Sequence, residues 1–290
     1  MWFEAVLSLW HHGPVVHMRG RTITIAAILV LSLWTGLFAY QRGMRGGPRP
    51  WWYEDDSPIL TPPDANEKTE YAFARLRYPS YGRGPGGIWA LRGNWTIDYP
   101  RADRHFVQGV RRLTRINTRS VEEVVDMETD AIYNWPWLYV VEPGHWELSD
   151  RQAAKLRDYL LRGGFLMTDD FHGTYEWSVF MESMSKVFPD RPIVDIENSD
   201  QIFHILYDLD ERPQVPGVAT FGTGGTYEYD GIEPKWRAIY DDKGRIMVAI
   251  CHNMDLGNAW EYADNPNYPE KYSALAYRIG INYIIYAMTH

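Results

Sequence analysis

The chain has 290 residues, 45% hydrophobic and 23% charged, which suffices for one sizeable domain plus an appendage and is too apolar for a disordered chain. A formal net charge of -9 argues against nucleic acid as a partner, because phosphates demand a concentrated basic face. The single cysteine, Cys251, excludes an internal disulfide and every multi-cysteine zinc site.

Residues 1–21 form an N-terminal leader that ends in the basic pair Arg19 and Arg21, and Met18 offers an internal start just before it. The following stretch, TITIAAILVLSLWTGLFAY (22–40), carries no charge. As a helix it would reach about 28 Å, close to the thickness of a bilayer's hydrocarbon core. It is expected to be a single transmembrane anchor, with a removed signal segment as the alternative. Arginines on both flanks (Arg19 and Arg21 before, Arg42, Arg45 and Arg49 after) give no orientation by the distribution of positive charge. The expected location is the inner membrane, single-pass, with the C-terminal domain in the periplasm. Residues 41–68 are rich in Gly, Pro and charge without apolar periodicity and read as a linker. The folded domain then spans 69–290.

Within that domain, short apolar runs alternate with segments of helical period, which predicts an α/β fold: a mostly parallel open sheet with helices on both faces. YAFARLRY (71–78) is the expected first strand. In DRHFVQGVRRLTRIN, Phe106, Val110 and Leu113 recur at helical spacing, with Val107 beside them. WLYVV (137–141) is a strand. LSDRQAAKLRDYLLRGG is a marked helix, since Ser149 and Gln152 have capping-box spacing and Gly163 suits the left-handed residue that ends it. Its buried stripe is Ala153, Leu156 and Leu160. FLMT (165–168) is too short and apolar to have a solvent face, so it is central. YEWSVFMESMSKVF predicts a helix, RIMVAIC (245–251) an inner strand, and YSALAYRIGINYIIYAM a closing core helix interrupted by Arg278 and Asn282.

Three of these strands end in polar groups. Asp169, Asp170 and His172 follow FLMT; Glu142 and His145 follow LYVV; His252, Asn253 and Asp255 follow IMVAIC. Ligands in open α/β sheets bind beyond the carboxyl ends of strands. If the three strands are neighbours, one crevice collects up to four carboxylates and three imidazoles. Asp169, Asp170, His172 and Asp255 are then the catalytic candidates, and Glu142, His145, His252, Asn253 and Trp260 the ligand-binding ones. A metal would suit Asp, Asp and His with a bound water as nucleophile, although no compact metal motif such as H-E-x-x-H occurs. The competing reading is structural, because an Asp after a buried strand often caps the next helix, a part open to Asp170 and Thr174 here.

Other signals carry less. GRGPGG (82–87) satisfies G-x-G-x-x-G in letters, but Pro85 and the lack of an immediate helix remove the N-terminus that holds a pyrophosphate. Cys251 beside His252 pairs a thiol with a base, yet AICHNM lacks the small residues of a nucleophile elbow, and no G-x-S-x-G occurs. In DLGNAWEY (255–262), Trp260 and Tyr262 suggest a stacking surface for sugar rings beside Asp255.

Several motifs in order, FARLRYP, LSDRQAAKLRDYLLRGGFLMTDDF, VFPDRPIVDI, IFHILYDL and NMDLGNAWEY ahead of GINYIIYAMTH, resemble the bacterial domain-of-unknown-function family 4159 over residues 70 to 290. The resemblance implies a class I glutamine-amidotransferase-like (flavodoxin-like) α/β domain, membrane-anchored or exported, and names no reaction or cofactor. The chain has no thiol in an elbow after a strand, which separates it from glutamine-hydrolysing members of that superfamily. The expected role is ligand binding or scaffolding in the cell envelope, with an envelope protein as a further partner class. The alternative is a metal-assisted hydrolase acting on an envelope carbohydrate or peptide.

Overall fold

The computed structural model describes residues 61–80 and 93–290. The leader, the 22–40 segment, most of the linker and the GRGPGG stretch lie outside the described residues. Among the described residues no helix is long and apolar enough to cross a membrane.

Seven strands form one sheet, β1 (Ala74–Arg77), β2 (Glu123–Asp126), β3 (Trp137–Val141), β4 (Phe165–Asp169), β5 (Val194–Asp195), β6 (Lys235–Tyr240) and β7 (Ile246–His252), in the order β2-β1-β3-β4-β7-β6-β5. The first five of that order run parallel, and β6 and β5 add an antiparallel edge. The sheet is therefore mixed α/β with a parallel centre, and β3, β4 and β7 are neighbours. Their registers align, with Val141 opposite Asp169 and Thr168 opposite Ile250.

The sequence expectation for the first strand shrinks to four residues, because Tyr71 makes only an isolated bridge to Thr118. The strands β2 and β6 carry no long apolar run, EVVD and KWRAIY, since each has a half-covered face. That is why neither stands out as a strand in the sequence.

Strand side chains alternate between two helical layers, as a pleated strand covered on both sides must. On β3, Trp137 and Tyr139 meet Phe73, Phe106 and Trp260 on one face. That layer is built by α1 (Arg101–Leu113), the short α5 (Leu256–Glu261) and α6 (Glu270–Thr289). Leu138 and Val140 face the other way, into a core with Leu156, Leu160, Phe180 and Met184 from α2 (Asp150–Leu161) and α3 (Gly173–Val187). The remaining short helix, α4 (Val218–Gly222), precedes β6. Each fully buried Leu, Ile or Phe in these layers contributes about 1.5–3 kcal/mol.

Local signals explain how α2 is placed so firmly. Ser149 accepts from the Gln152 amide while the Gln152 side chain accepts from the Ser149 amide, which closes the capping box. At the far end Gly163 takes φ 110°, and Gly164 N–H and Gly163 N–H donate to the carbonyls of Tyr159 and Leu160. That is the Schellman pattern, and it turns the chain straight into β4.

Candidate functional site

The chain reverses its direction of travel across the sheet between β1 and β3: it goes outward to β2, then returns to add β3, β4 and β7 on the other side. Such a switch point opens a crevice at the carboxyl ends of the strands. Asp98, in the β1–α1 connection, and Glu142, directly after β3, leave the sheet there. Asp170 and Asp255 enter from β4 and from the loop after β7.

One carboxylate oxygen each from Asp98, Asp170 and Asp255 lies within 4.8 Å of the others, and all three residues are buried. Each is held by its own element. Asp98 Oδ1 accepts from the Asn258 side chain at 2.6 Å. Asp255 caps α5, accepting from Asn258 N–H at 2.7 Å. Asp170 sits at φ 57°, tied by its amide to the Met254 carbonyl, and its Oδ1 is 3.2 Å from His172 Nε2. The two groups share one proton across that contact. Among the described residues no Lys or Arg pairs with Asp170 or Asp255. Burial first, and then the negative field of Asp255, Glu142, Asp98 and Glu228, pushes the Asp170 carboxyl far above the usual range. Asp255 is raised in the same way, by burial and then by Asp169.

Beside this cluster runs a second network. His145 Nε2 lies 3.3 Å from Glu176 Oε1 and 3.7 Å from Glu142 Oε2. The Asn94 side-chain amide donates to the same Glu142 oxygen, and the other Glu176 oxygen accepts from His172 N–H. Burial pushes Glu142 up to about 7 against the pull of His145, while the bond to Glu176 raises His145. An acid near 7 suits proton transfer at neutral pH. Gly144 is where this network needs glycine, since a Cβ there would stand 2.5 Å from Glu176 Cβ.

The nine sequence candidates therefore separate. Asp170, Asp255, His172, Glu142 and His145 are at or beside the crevice. Asp169 is one residue away and otherwise employed: its Oδ2 accepts from Leu256 N–H, Gly257 N–H and Tyr139 OH at 2.8, 2.9 and 3.1 Å, which clamps the start of α5 onto β4. Burial raises its carboxyl to about 7 despite those donors. Asn253, at φ 66°, spends both ends of its amide on backbone, accepting from Gly173 N–H and donating to Glu233 O. His252 donates through Nε2 to the Gly173 carbonyl and packs on Phe171 and Trp177, with burial lowering its ring to about 4. Trp260 has no exposed face: it is fully buried against Phe106, Tyr139 and Phe73, so no sugar can stack on it. Cys251 is buried next to Tyr283, and burial pushes its thiol well up, the reverse of an activated nucleophile.

The cap expected from Asp170 or Thr174 comes instead from a distant loop. Asp230 accepts from Thr174 N–H and Thr174 Oγ1–H, at 2.9 and 2.8 Å. Sequence reading missed Asp98, Asn94, Glu176 and Glu228. Asp98 and Asn94 lie in an aperiodic connection, Glu176 looks like an ordinary first-turn acid on a helix, and Glu228 sits in a loop between short elements. The one available signal was positional: Asp98 precedes a helix in the connection after β1, where a switch-point sheet places ligands.

A family model described as Domain of unknown function (DUF4159) matches residues 72–288, and the chain belongs to that family. No curated protein matches the chain.

Proposed function

We propose, from membership of a family that names no reaction and from the crevice itself, that the domain holds a divalent cation between Asp98, Asp170 and Asp255 and uses it to bind a polar ligand. The supporting observation is the convergence of three buried carboxylates within 4.8 Å with no Lys or Arg paired to Asp170 or Asp255. Buried like charges are costly unless neutralised, and an all-oxygen set selects hard cations. Two Ca–O bonds end to end span about 4.8 Å, whereas magnesium requires a tighter octahedron. Calcium, or manganese with His172 orienting Asp170 from behind, fits the set. In this reading Asp169 builds the site without touching the ion.

Hydrolysis is a second reading, and Glu142 favours it. A carboxyl near 7, held by Asn94 and His145 at the same switch point, could take a proton from a water on the cation. We place the domain outside the cytoplasm of a bacterial cell, tethered by the uncharged segment 22–40, with a fold of the glutamine-amidotransferase-like type but without its thiol. The length and lack of charge of that segment support the tether, the 2-1-3-4 strand order supports the fold, and the short basic leader that a start at Met18 would give supports the side of the membrane.

The test is calorimetric titration of the full chain in lipid nanodiscs with calcium, manganese and magnesium chlorides. About one equivalent of calcium or manganese should bind, more tightly than magnesium, and Asp170→Asn should remove it. Binding of less than about a tenth of an equivalent of all three would refute the proposal.

A further inference from the structure

Two segments beside the crevice carry large exposed side chains. Tyr175, Tyr229, Ile232 and Tyr227 are 74%, 69%, 63% and 47% exposed, and all belong to two segments that meet at Gly173. The first turn of α3 and the 227–232 loop are joined by the two bonds from Thr174 to Asp230. Gln214 adds a bracket, donating to the carbonyls of Gly231 and Asn253. Gly173 and Gly231 permit the approach: a Cβ on Gly173 would lie 2.1 Å from Asp230 Oδ1, and one on Gly231 would lie 2.5 Å from Asn253 Oδ1. The exposed rings are thus carried on pinned backbone, and Tyr229 is held at φ 49°. Its chain neighbour Glu228 reaches the cluster itself, since a Cβ on Gly217 would lie 2.9 Å from both Glu228 Oε1 and Asp255 Oδ2.

We infer that this rim is the stacking platform for a pyranose ring, whose apolar C–H face lies on Tyr229 and Tyr175 and whose vicinal hydroxyls reach the cation and carboxylates beneath. The inference rests on the cation reading above and deepens it by naming the ligand as a glycan. The rim carries it, rather than the carboxylates alone. Tyrosine offers a flat apolar surface with a polar tip, which matches a sugar's alternation of C–H and O–H faces. Glu142, Glu176 and Glu228 offer acceptors to hydroxyl donors. Four side chains are far short of the roughly 20–30 residues a side of a stable protein interface. A protonated amine would suit the acids but would compete with the cation for them.

The experiment is saturation-transfer NMR on the full chain in lipid nanodiscs, free of glycoside detergent. The probes are methyl α-mannopyranoside, methyl β-glucopyranoside and diacetylchitobiose, with spermidine as the amine. With calcium present, at least one sugar should receive saturation through its ring C–H protons. Its affinity should fall about tenfold or more in Tyr229→Gly, which keeps the positive φ accessible, and in Tyr175→Ala. Tyr133→Ala, an exposed tyrosine elsewhere, should change nothing, and a chelator should abolish the signal. The inference is overturned if the calcium-loaded protein binds none of the sugars, if spermidine binds in their place, or if Tyr229→Gly binds a sugar as the parent does. Sugar binding that survives the chelator overturns the cation-bridged form. Calcium titrated into the same sample separates the two readings: calcium binding without sugar sinks this inference alone, and no calcium binding sinks the site reading beneath it.

Discussion

Two buried charge clusters lie near each other around β1, and they are built on opposite terms. Arg75 and Asp103 are fully buried, and every guanidinium nitrogen has a partner: Nε and Nη2 donate to Asp103, and Nη1 donates to the carbonyls of Trp95 and Ile97 at 3.1 and 3.0 Å. Burial opposes the Arg75 charge, but Asp103 more than offsets it and holds the guanidinium charged. Burial likewise raises Asp103 to about 6 against the pull of Arg75, which leaves the pair ionised at neutral pH. In the crevice, Asp98, Asp170 and Asp255 bring three carboxylates together, and Asp170 and Asp255 find no Lys or Arg among the described residues. A cluster with matched donors and acceptors locks the fold; one with surplus carboxyls keeps it only by taking up protons or a cation.

The sharpest way to break this contrast is to unmatch the matched cluster. Arg75→Met should cost about 3–5 kcal/mol in urea unfolding, because it leaves Asp103 buried without a partner. A loss under about 1 kcal/mol would mean that the ion pair does not hold β1 to α1. Next in size, saturating calcium should stabilise the folded chain by about 2.7 kcal/mol at a hundred times its dissociation constant, read as a rise in melting temperature.

The pH dependence sharpens the same point. In the absence of divalent cation, Asp169 and Glu142 sit near 7, and Asp170 and Asp255 are pushed well up, so the folded chain holds more protons than the unfolded one between about pH 4 and 7. Their contribution is fully present below about pH 4 and is lost as pH rises through the folded values. Stability should therefore fall across that window, by roughly 1 kcal/mol per pH unit for a buried member such as Asp169, and calcium should flatten the slope. Asp190, lowered to about 2 first of all by its bond to Arg157, acts in the opposite sense below that window, and His252, lowered to about 4 by burial, acts in the opposite sense inside it, where the raised carboxyls outnumber it. A stability that rises from pH 4 to 7 without cation would contradict the description of the crevice. The smallest effect is the most diagnostic in sign. Asp170→Asn should leave the cation-free chain unchanged or more stable by about 1 kcal/mol at neutral pH, since it replaces a carboxyl that the fold must keep protonated by a neutral amide, whereas Arg75→Met can only lose.

Much of the scaffold was legible because local chemistry fixes it. Ser149 and Gln152 announce the start of α2, Gly163 its end, and the apolar FLMT run its central strand, and all three are present. The sharing of one edge by the ends of β3, β4 and β7 was an assumption about neighbours that alternation cannot supply, and the sheet order provides it. The antiparallel β6 and β5 were hidden because KWRAIY and VD have no long apolar run. Within the site, residue type and strand position pointed at Asp170 and Asp255, but not at Asp98, which lies between β1 and α1 in a stretch with neither strand nor helical period. Trp260 shows the converse error: an aromatic near an acid in sequence turned inward, because α5 lays its apolar face on Phe106 and Tyr139.

The central claim is that the three aspartates share one ion, and anomalous scattering from crystals of the full chain soaked in manganese tests it most directly. The account predicts one strong peak within about 2.6 Å of a carboxylate oxygen of each of Asp98, Asp170 and Asp255, absent in Asp170→Asn crystals. A peak held only by Glu142, His145 and Glu176, or no peak in the crevice at full soak, would contradict it.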